Sequence, residues 1–119
     1  MFRVIMDASP ATRGHSLILP KEHYANIYEL PDDVAAETFV LAKKMADRMS
    51  TALDCDGFNL IQNNGECAGQ TVFHFHLHLI PRYEDDINQG VLGWVHEEFS
   101  EEEFDRIEET LKEGMPDFD

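Results

Sequence analysis

The chain has 119 residues, of which 24 are acidic and 9 basic, giving a formal net charge of −15 at pH 7. The length suits one domain, and a composition that is 43% hydrophobic and 28% charged supplies a packed core rather than a disordered chain. The sign of the charge excludes duplex nucleic acid and anionic membrane surfaces as partners, because both attract faces rich in Lys and Arg.

Residues 2–6, Phe-Arg-Val-Ile-Met, predict a short strand, and residues 7–14, interrupted by Pro10 and Gly14, predict a turn-forming loop. Residues 15–20 predict a second strand closed by Pro20, and the two strands pair naturally as a hairpin. A long helix is expected over 32–53, with an Asp of the Pro31-Asp32-Asp33 segment as its N-cap. Its apolar stripe reads Val34, Phe39 (or Thr38), Leu41, Met45, Met49 and Leu53. Residues 58–62 predict a third strand, residues 63–69 a polar loop containing Gly65 and Gly69, and residues 71–81 the strongest strand of the chain. A capping box, Ser100 with Glu103, opens a last helix through Phe104, Ile107 and Leu111 that stops near Gly114. The order strand, strand, helix, strand, strand, helix predicts a single α+β domain over 1–119, an antiparallel sheet with one long and one C-terminal helix.

Charge divides the chain. Residues 1–83 hold 10 acidic and 7 basic side chains, whereas residues 84–119 hold 14 acidic and only Arg106 and Lys112 as basic ones. The acidic C-terminal part, 84–119, reads as a solvated face. No apolar run reaches the ~18 residues of a membrane helix, and residues 1–6 do not have the pattern of a secretory signal. Cys55 and Cys67 form neither a CxxC pair nor a disulfide framework. Free thiols fit a cytoplasmic setting.

The chemistry concentrates in Thr71-Val72-Phe73-His74-Phe75-His76-Leu77-His78-Leu79-Ile80. On a strand, Phe73, Phe75, Leu77 and Leu79 share one face for burial against the long helix, while His74, His76 and His78 line the other at intervals of about 6.6 Å. Three imidazoles in a row are costly to bury without partners. Two chemistries fit them. One is a metal site, with further ligands from His15, His23 or a thiolate. The other is nucleophilic catalysis on phosphorus, in which a neutral imidazole attacks while its neighbours orient it and handle protons. The loop favours the second: Gly65 and Gly69 allow close approach to an anion, and backbone N–H groups at 69–71 offer donors. No GK[ST] follows, so this is not a P-loop.

Asn63-Asn64-Gly65 and Ala68-Gly69-Gln70-Thr71-Val72-Phe73-His74-Phe75-His76-Leu77-His78-Leu79-Ile80-Pro81-Arg82 resemble the signature of the histidine triad (HIT) family, His-φ-His-φ-His-φ-φ with φ hydrophobic. A second stretch, Asp7-Ala8-Ser9-Pro10 with Gly14-His15-Ser16-Leu17-Ile18-Leu19-Pro20-Lys21-Glu22-His23, resembles the family's upstream motif in its bacterial Hit-like and Hint-like form. Together the motifs cover most of residues 4–83. Residues 68–71 with Pro81-Arg82 are similar both to the dinucleoside-polyphosphate hydrolase branch and to general bacterial members, while Asn63 is similar to the phosphoramidase branch.

The resemblance implies a HIT-like fold and hydrolysis or transfer at the α-phosphate of purine nucleotide conjugates such as phosphoramidates or dinucleoside polyphosphates. It implies His76 as the nucleophile that forms a nucleotidyl-histidine, His78 at the phosphate and leaving group, His74 orienting His76, and His15 as the family's fourth histidine. It places Asp7 on the ribose hydroxyls, where an Asx turn is the alternative, and Asn63, Gly69, Gln70 and Thr71 around the phosphates. Lys21 and Arg82 are then available to offset polyphosphate charge. The resemblance also implies that the chain starts inside the family pattern, after the segment that lines the base pocket and, in many bacterial members, carries a CxxC for a structural zinc. Hence no cofactor is expected for catalysis, no metal ligands are assigned, and His23 reads as a surface residue. A homodimer is expected, with a small purine nucleotide as partner. The rival expectation is a non-catalytic nucleotide-binding or metal-binding protein.

Overall fold

The computed structural model describes residues 1–87, 96–115 and 117; residues 88–95, within the acidic C-terminal part, lie outside the described residues. Four strands, β1 (Phe2–Met6), β2 (Ser16–Pro20), β3 (Gly57–Ile61) and β4 (Leu77–Arg82), form one antiparallel sheet in the order β1-β2-β4-β3. Helix α1 (Asp32–Leu53) connects β2 to β3, and α2 (Glu101–Gly114) follows β4. The α+β architecture, the β1–β2 hairpin and all six expected elements are present. None of the helices among the described residues is long and apolar enough to cross a membrane.

The β4 strand is shorter than its residue pattern predicts, beginning at Leu77 rather than Thr71. The cause lies on its neighbour. The β2–β4 ladder runs from Ser16↔Leu79 to Ile18↔Leu77, and continuing it would set Phe75 against Pro20, which has no N–H to donate. Residues 74–76 instead arch over the segment that follows β2. The Phe75 N–H donates to the Tyr24 carbonyl at 2.6 Å, and the Pro20 carbonyl receives the His74 ring at 2.9 Å. As a result Phe73 is 54% exposed instead of buried. Phe75 is 3% exposed, but it packs with Leu30 and Val34 rather than in a continuous sheet face.

The main core joins Ile18 of β2, Leu77 and Leu79 of β4 and Ala42 of α1, flanked by Phe2, Leu41, Met45, Met49 and Phe58. The buried line of α1 is Val34, Thr38 and Ala42, so the expected Phe39 gives way to Thr38 and stands 64% exposed. The Thr38 hydroxyl is satisfied locally by the Val34 carbonyl at 2.7 Å, and the small Ala42 lets the helix approach the sheet. Pro31, not an Asp, is the N-cap, and no side chain caps α1. Asp32 and Asp33 still occupy the first turn, where the helix dipole favours them. The capping box of α2 is formed: Ser100 Oγ accepts from the Glu103 N–H and Glu103 Oε1 accepts from the Ser100 N–H.

One glycine is demanded by the scaffold that delivers the site. Gly14 has φ +94°, and a Cβ there would fall 2.5 Å from Leu53 Cδ1 and 3.3 Å from Pro81 Cγ. Gly14→Ala is expected to destabilise the fold by about 1–3 kcal/mol through left-handed strain and this overlap, read as a lowered urea midpoint with an unchanged m-value.

Candidate active site

Strands β2 and β4 are adjacent, and their register sets Leu17 opposite His78. His15, buried just before β2, thereby reaches across to β4, and its Nε2 lies 2.9 Å from His78 Nδ1. The His76 and His78 rings stand edge to face with centroids 5.0 Å apart. His76 lies in the arch, not on the strand, and its Nδ1 is 2.7 Å from the His74 carbonyl. His15, His76 and His78 therefore converge, while the His74 ring turns away to Pro20 and to His23, whose Nδ1 is 3.2 Å from His74 Nδ1.

These contacts fix the tautomers. A carbonyl oxygen only accepts, so His76 Nδ1 carries a proton and, in the neutral ring, Nε2 holds a lone pair. A backbone N–H only donates: the Ala11 N–H reaches His15 Nδ1 at 2.9 Å, so the neutral His15 ring is protonated on Nε2 and donates to His78 Nδ1. His78 in turn carries its proton on Nε2. The site thus presents one imidazole with a free lone pair beside one with an N–H donor, the complementary equipment for attack and for a hydrogen bond to a leaving group. Burial depresses the pKa of His15 below 6.5, partly opposed by the Asp7 carboxylate. Burial also depresses that of His78, with His76 and His15 adding to the effect and Asp7 opposing it.

Asp7, at the end of the β1 hairpin arm, makes the Asx turn and faces the histidines as well. Its Oδ1 accepts from the Ser9 N–H at 2.8 Å, while Oδ2 lies 3.4 Å from His15 Nε2 and 3.8 Å from His78 Nδ1. These three donor atoms lie within 4.8 Å of one another. A metal on His15 Nε2, however, would have to displace the proton that the Ala11 contact puts there, so the cluster is a hydrogen-bond chain rather than a metal site. Beside it, Ile5, Leu17, Leu19, Val72, His74 and His76 line an apolar depression of about 150 Å³.

The loop before the arch differs from its expected use. Gln70 is 2% exposed, with its amide committed to the fold: Oε1 accepts from the Gly65 N–H, and Nε2 donates to the carbonyls of Ala25 and Val72. It pins the loop instead of meeting phosphate. The backbone N–H groups of Gly69 and Gln70 are likewise spent inside the loop, on the carbonyls of Glu66 and Gly65. Gly69 is left-handed, φ +95°, with the Asn63 side chain beside it. The Asn63 amide and the Thr71 hydroxyl make no hydrogen bond among the described residues, which leaves both available to a ligand. Lys21 belongs to a separate depression of about 440 Å³ that it lines with Met1, Pro20 and Tyr24. Arg82 is held by Asp86, at 2.9 and 3.0 Å, and by Asn59 at 2.9 Å, so it buttresses β4 rather than facing a substrate.

A structural zinc closes a tetrahedron with four N or S ligands. His23 is exposed, as expected of a surface residue, and its ring stacks on that of His74. No third His, Cys, Asp or Glu joins them in a ligand group among the described residues; Cys55 turns to Ser50, and Cys67 is exposed on the Glu66–Ala68 turn. Two imidazoles alone do not complete such a tetrahedron, so the pair does not by itself fit a zinc. Two further features had no signal in the residue pattern: the Ala11 contact to His15 and the burial of Gln70. Each depends on loop positions that only the folded chain brings together.

The HIT domain model matches residues 1–85. The chain is 36% identical over 111 residues to Protein hit of Bacillus subtilis, covering 92% of this chain and 77% of that protein. It is 37% identical over 106 residues to the adenosine 5'-monophosphoramidase hnt1 of Schizosaccharomyces pombe, covering 89% and 76%. Among solved structures, a HIT family protein from Bacillus anthracis superposes with a TM-score of 0.80 at 40% identity, over 94% of this chain and 80% of that one. With two separated motifs, a shared fold and a matched domain in agreement, the chain is a member of the HIT family.

Proposed function

We propose that the protein hydrolyses purine nucleotide conjugates at the α-phosphate through a nucleotidyl-histidine, acting as a cytoplasmic homodimer. The observation that carries this reading is the His76 ring, whose Nδ1–H is tied to the His74 carbonyl so that Nε2 is the nucleophilic atom. The relative from Schizosaccharomyces pombe named as an adenosine 5'-monophosphoramidase supports the substrate class, and both cysteines are free thiols, as a reducing compartment favours.

In the first step His76 Nε2 attacks phosphorus, forming the P–N bond as the P–O or P–N bond to the leaving group breaks. A proton from His78 neutralises the departing oxygen or amine. In the second step water attacks the phosphorus, the P–N bond to His76 breaks and the nucleoside monophosphate leaves. The Asn63 amide and Thr71 hydroxyl supply donors to the phosphate, and Gly69 allows its close approach. Asp7 serves the ribose: a carboxylate offers about four acceptor positions, and only some of them are used by Ser9 and the histidines. The apolar depression beside His76 suits the nucleobase.

His76→Ala is expected to lower turnover of adenosine phosphoramidate and of diadenosine polyphosphates by at least about a thousandfold, with the fold intact by circular dichroism; wild-type turnover in that variant overturns the reading. A form that binds AMP without any turnover would mark a non-catalytic binder instead. Stability carries a pH signature of the same site. His15 and His78 are depressed below 6.5 in the folded chain, so the unfolded chain takes up more protons as the pH falls. Their contribution is fully present above 6.5 and is lost as the pH drops through 6.5 toward the folded values. The melting temperature is expected to fall between pH 7 and pH 5, and to fall less steeply in a His15→Gln/His78→Gln double variant.

A further inference from the structure

Neutral His78 keeps its proton on Nε2, because Nδ1 accepts from His15. Surrendering that proton to a leaving group would produce an imidazolate, a form out of reach near neutral pH. His78 must therefore carry a second proton, on Nδ1, before the leaving group departs. His15 cannot accept it. The Ala11 N–H occupies His15 Nδ1, so His15 Nε2 retains its own proton, and two N–H groups would oppose each other across the 2.9 Å gap. Asp7 Oδ2 lies beside both nitrogens, at 3.4 and 3.8 Å, with the carboxylate oriented by Ser9 through Oδ1.

We propose that Asp7 is the positioning residue of proton transfer: its Oδ2 takes both the His15 Nε2–H and the Nδ1–H of protonated His78, holding His78 charged and aimed while Nε2–H is delivered to the leaving group. This role rests on the hydrolase reading and adds to the ribose contact implied by family resemblance. Protons balance through the cycle. Imidazolium His78 gives its Nε2 proton to the leaving group and becomes the neutral Nδ1–H tautomer, still bound to Asp7. Its Nε2 lone pair then takes a proton from the attacking water as the P–N bond to His76 breaks, which restores the imidazolium. The titratable groups facing His78 are His15, His76 and Asp7, and of these only Asp7 favours the charged ring.

The test compares wild type, Asp7→Asn and Asp7→Glu on two substrates. Adenosine phosphoramidate needs its leaving amine protonated, whereas the 4-nitrophenyl ester of AMP releases an anion that needs no proton. For Asp7→Asn, kcat on the phosphoramidate is expected to drop between about tenfold and a hundredfold. The limb of its pH profile that requires protonated His78 should move by about one unit toward lower pH. At saturating substrate the first-turnover burst of nitrophenolate should fall by a smaller factor than the phosphoramidate kcat, because loss of the ribose contact acts on both substrates and loss of the proton only on one, and Asp7→Glu should restore part of the phosphoramidate rate. Equal losses on both substrates with an unmoved pH limb would overturn the proposal, as would an effect confined to KM that disappears with 2',3'-dideoxy substrates. Wild-type turnover in His76→Ala would instead remove the hydrolase reading itself, so the two failures are separable.

Discussion

The absent N–H of Pro20 shapes the whole site. Where an ordinary residue would extend the β2–β4 ladder past Ile18↔Leu77, Pro20 offers only a carbonyl, and residues 74–76 leave the sheet. A regular strand would set three imidazoles in one evenly spaced row. The arch instead separates them by task. The His74 ring goes to Pro20 and His23, His76 is turned by the His74 carbonyl, and His78 stays on β4 within reach of His15. Burying Phe75 against Leu30 and Val34 stabilises the departure, and burial of one such side chain is worth about 1.5–3 kcal/mol.

The site itself is a sequence of donors and acceptors whose direction is set from the main chain. At one end an amide, Ala11 N–H, can only give; at the other a carbonyl, His74 O, can only receive. Between them each ring has one neutral tautomer that satisfies its neighbours. In the proposed reaction such an arrangement would hold the reacting atoms without rotamer search, which is the chief way a protein lowers a barrier by preorganisation. Desolvation favours the neutral form of both His15 and His78, and Asp7 is the nearby negative charge that opposes it.

Much of this was legible in the residues. Alternation at 71–81, the Pro and Gly of the hairpin loop, the capping box and the two motifs lead directly to the α+β fold and to His15, His74, His76 and His78. What the pattern misplaced has a common origin in tertiary context. Phe73 and Phe39 look like core residues by period, yet Phe73 precedes the arch and Phe39 lies off the line along which Ala42 permits close packing. Gln70 and Arg82 look like ligand-facing polar groups, but each is needed by the scaffold: Gln70 satisfies three backbone groups from two loops, and Arg82 joins β4 to β3 and to Asp86. Local spacing does not distinguish a polar side chain that serves a substrate from one that serves the backbone.

The carbonyl that orients His76 has a consequence for mutational robustness. Because the acceptor is a main-chain atom of residue 74, exchanging the side chain there leaves the oxygen in place, and the tautomer of His76 survives for as long as the arch keeps its shape. Vulnerability thereby extends to the side chains that hold the arch: the His74 ring on the Pro20 carbonyl, with Tyr24, Leu30, Val34 and Phe75. Variation in this protein should therefore be constrained at Phe75, a phenylalanine outside the histidine cluster, as well as at the first histidine of the triad.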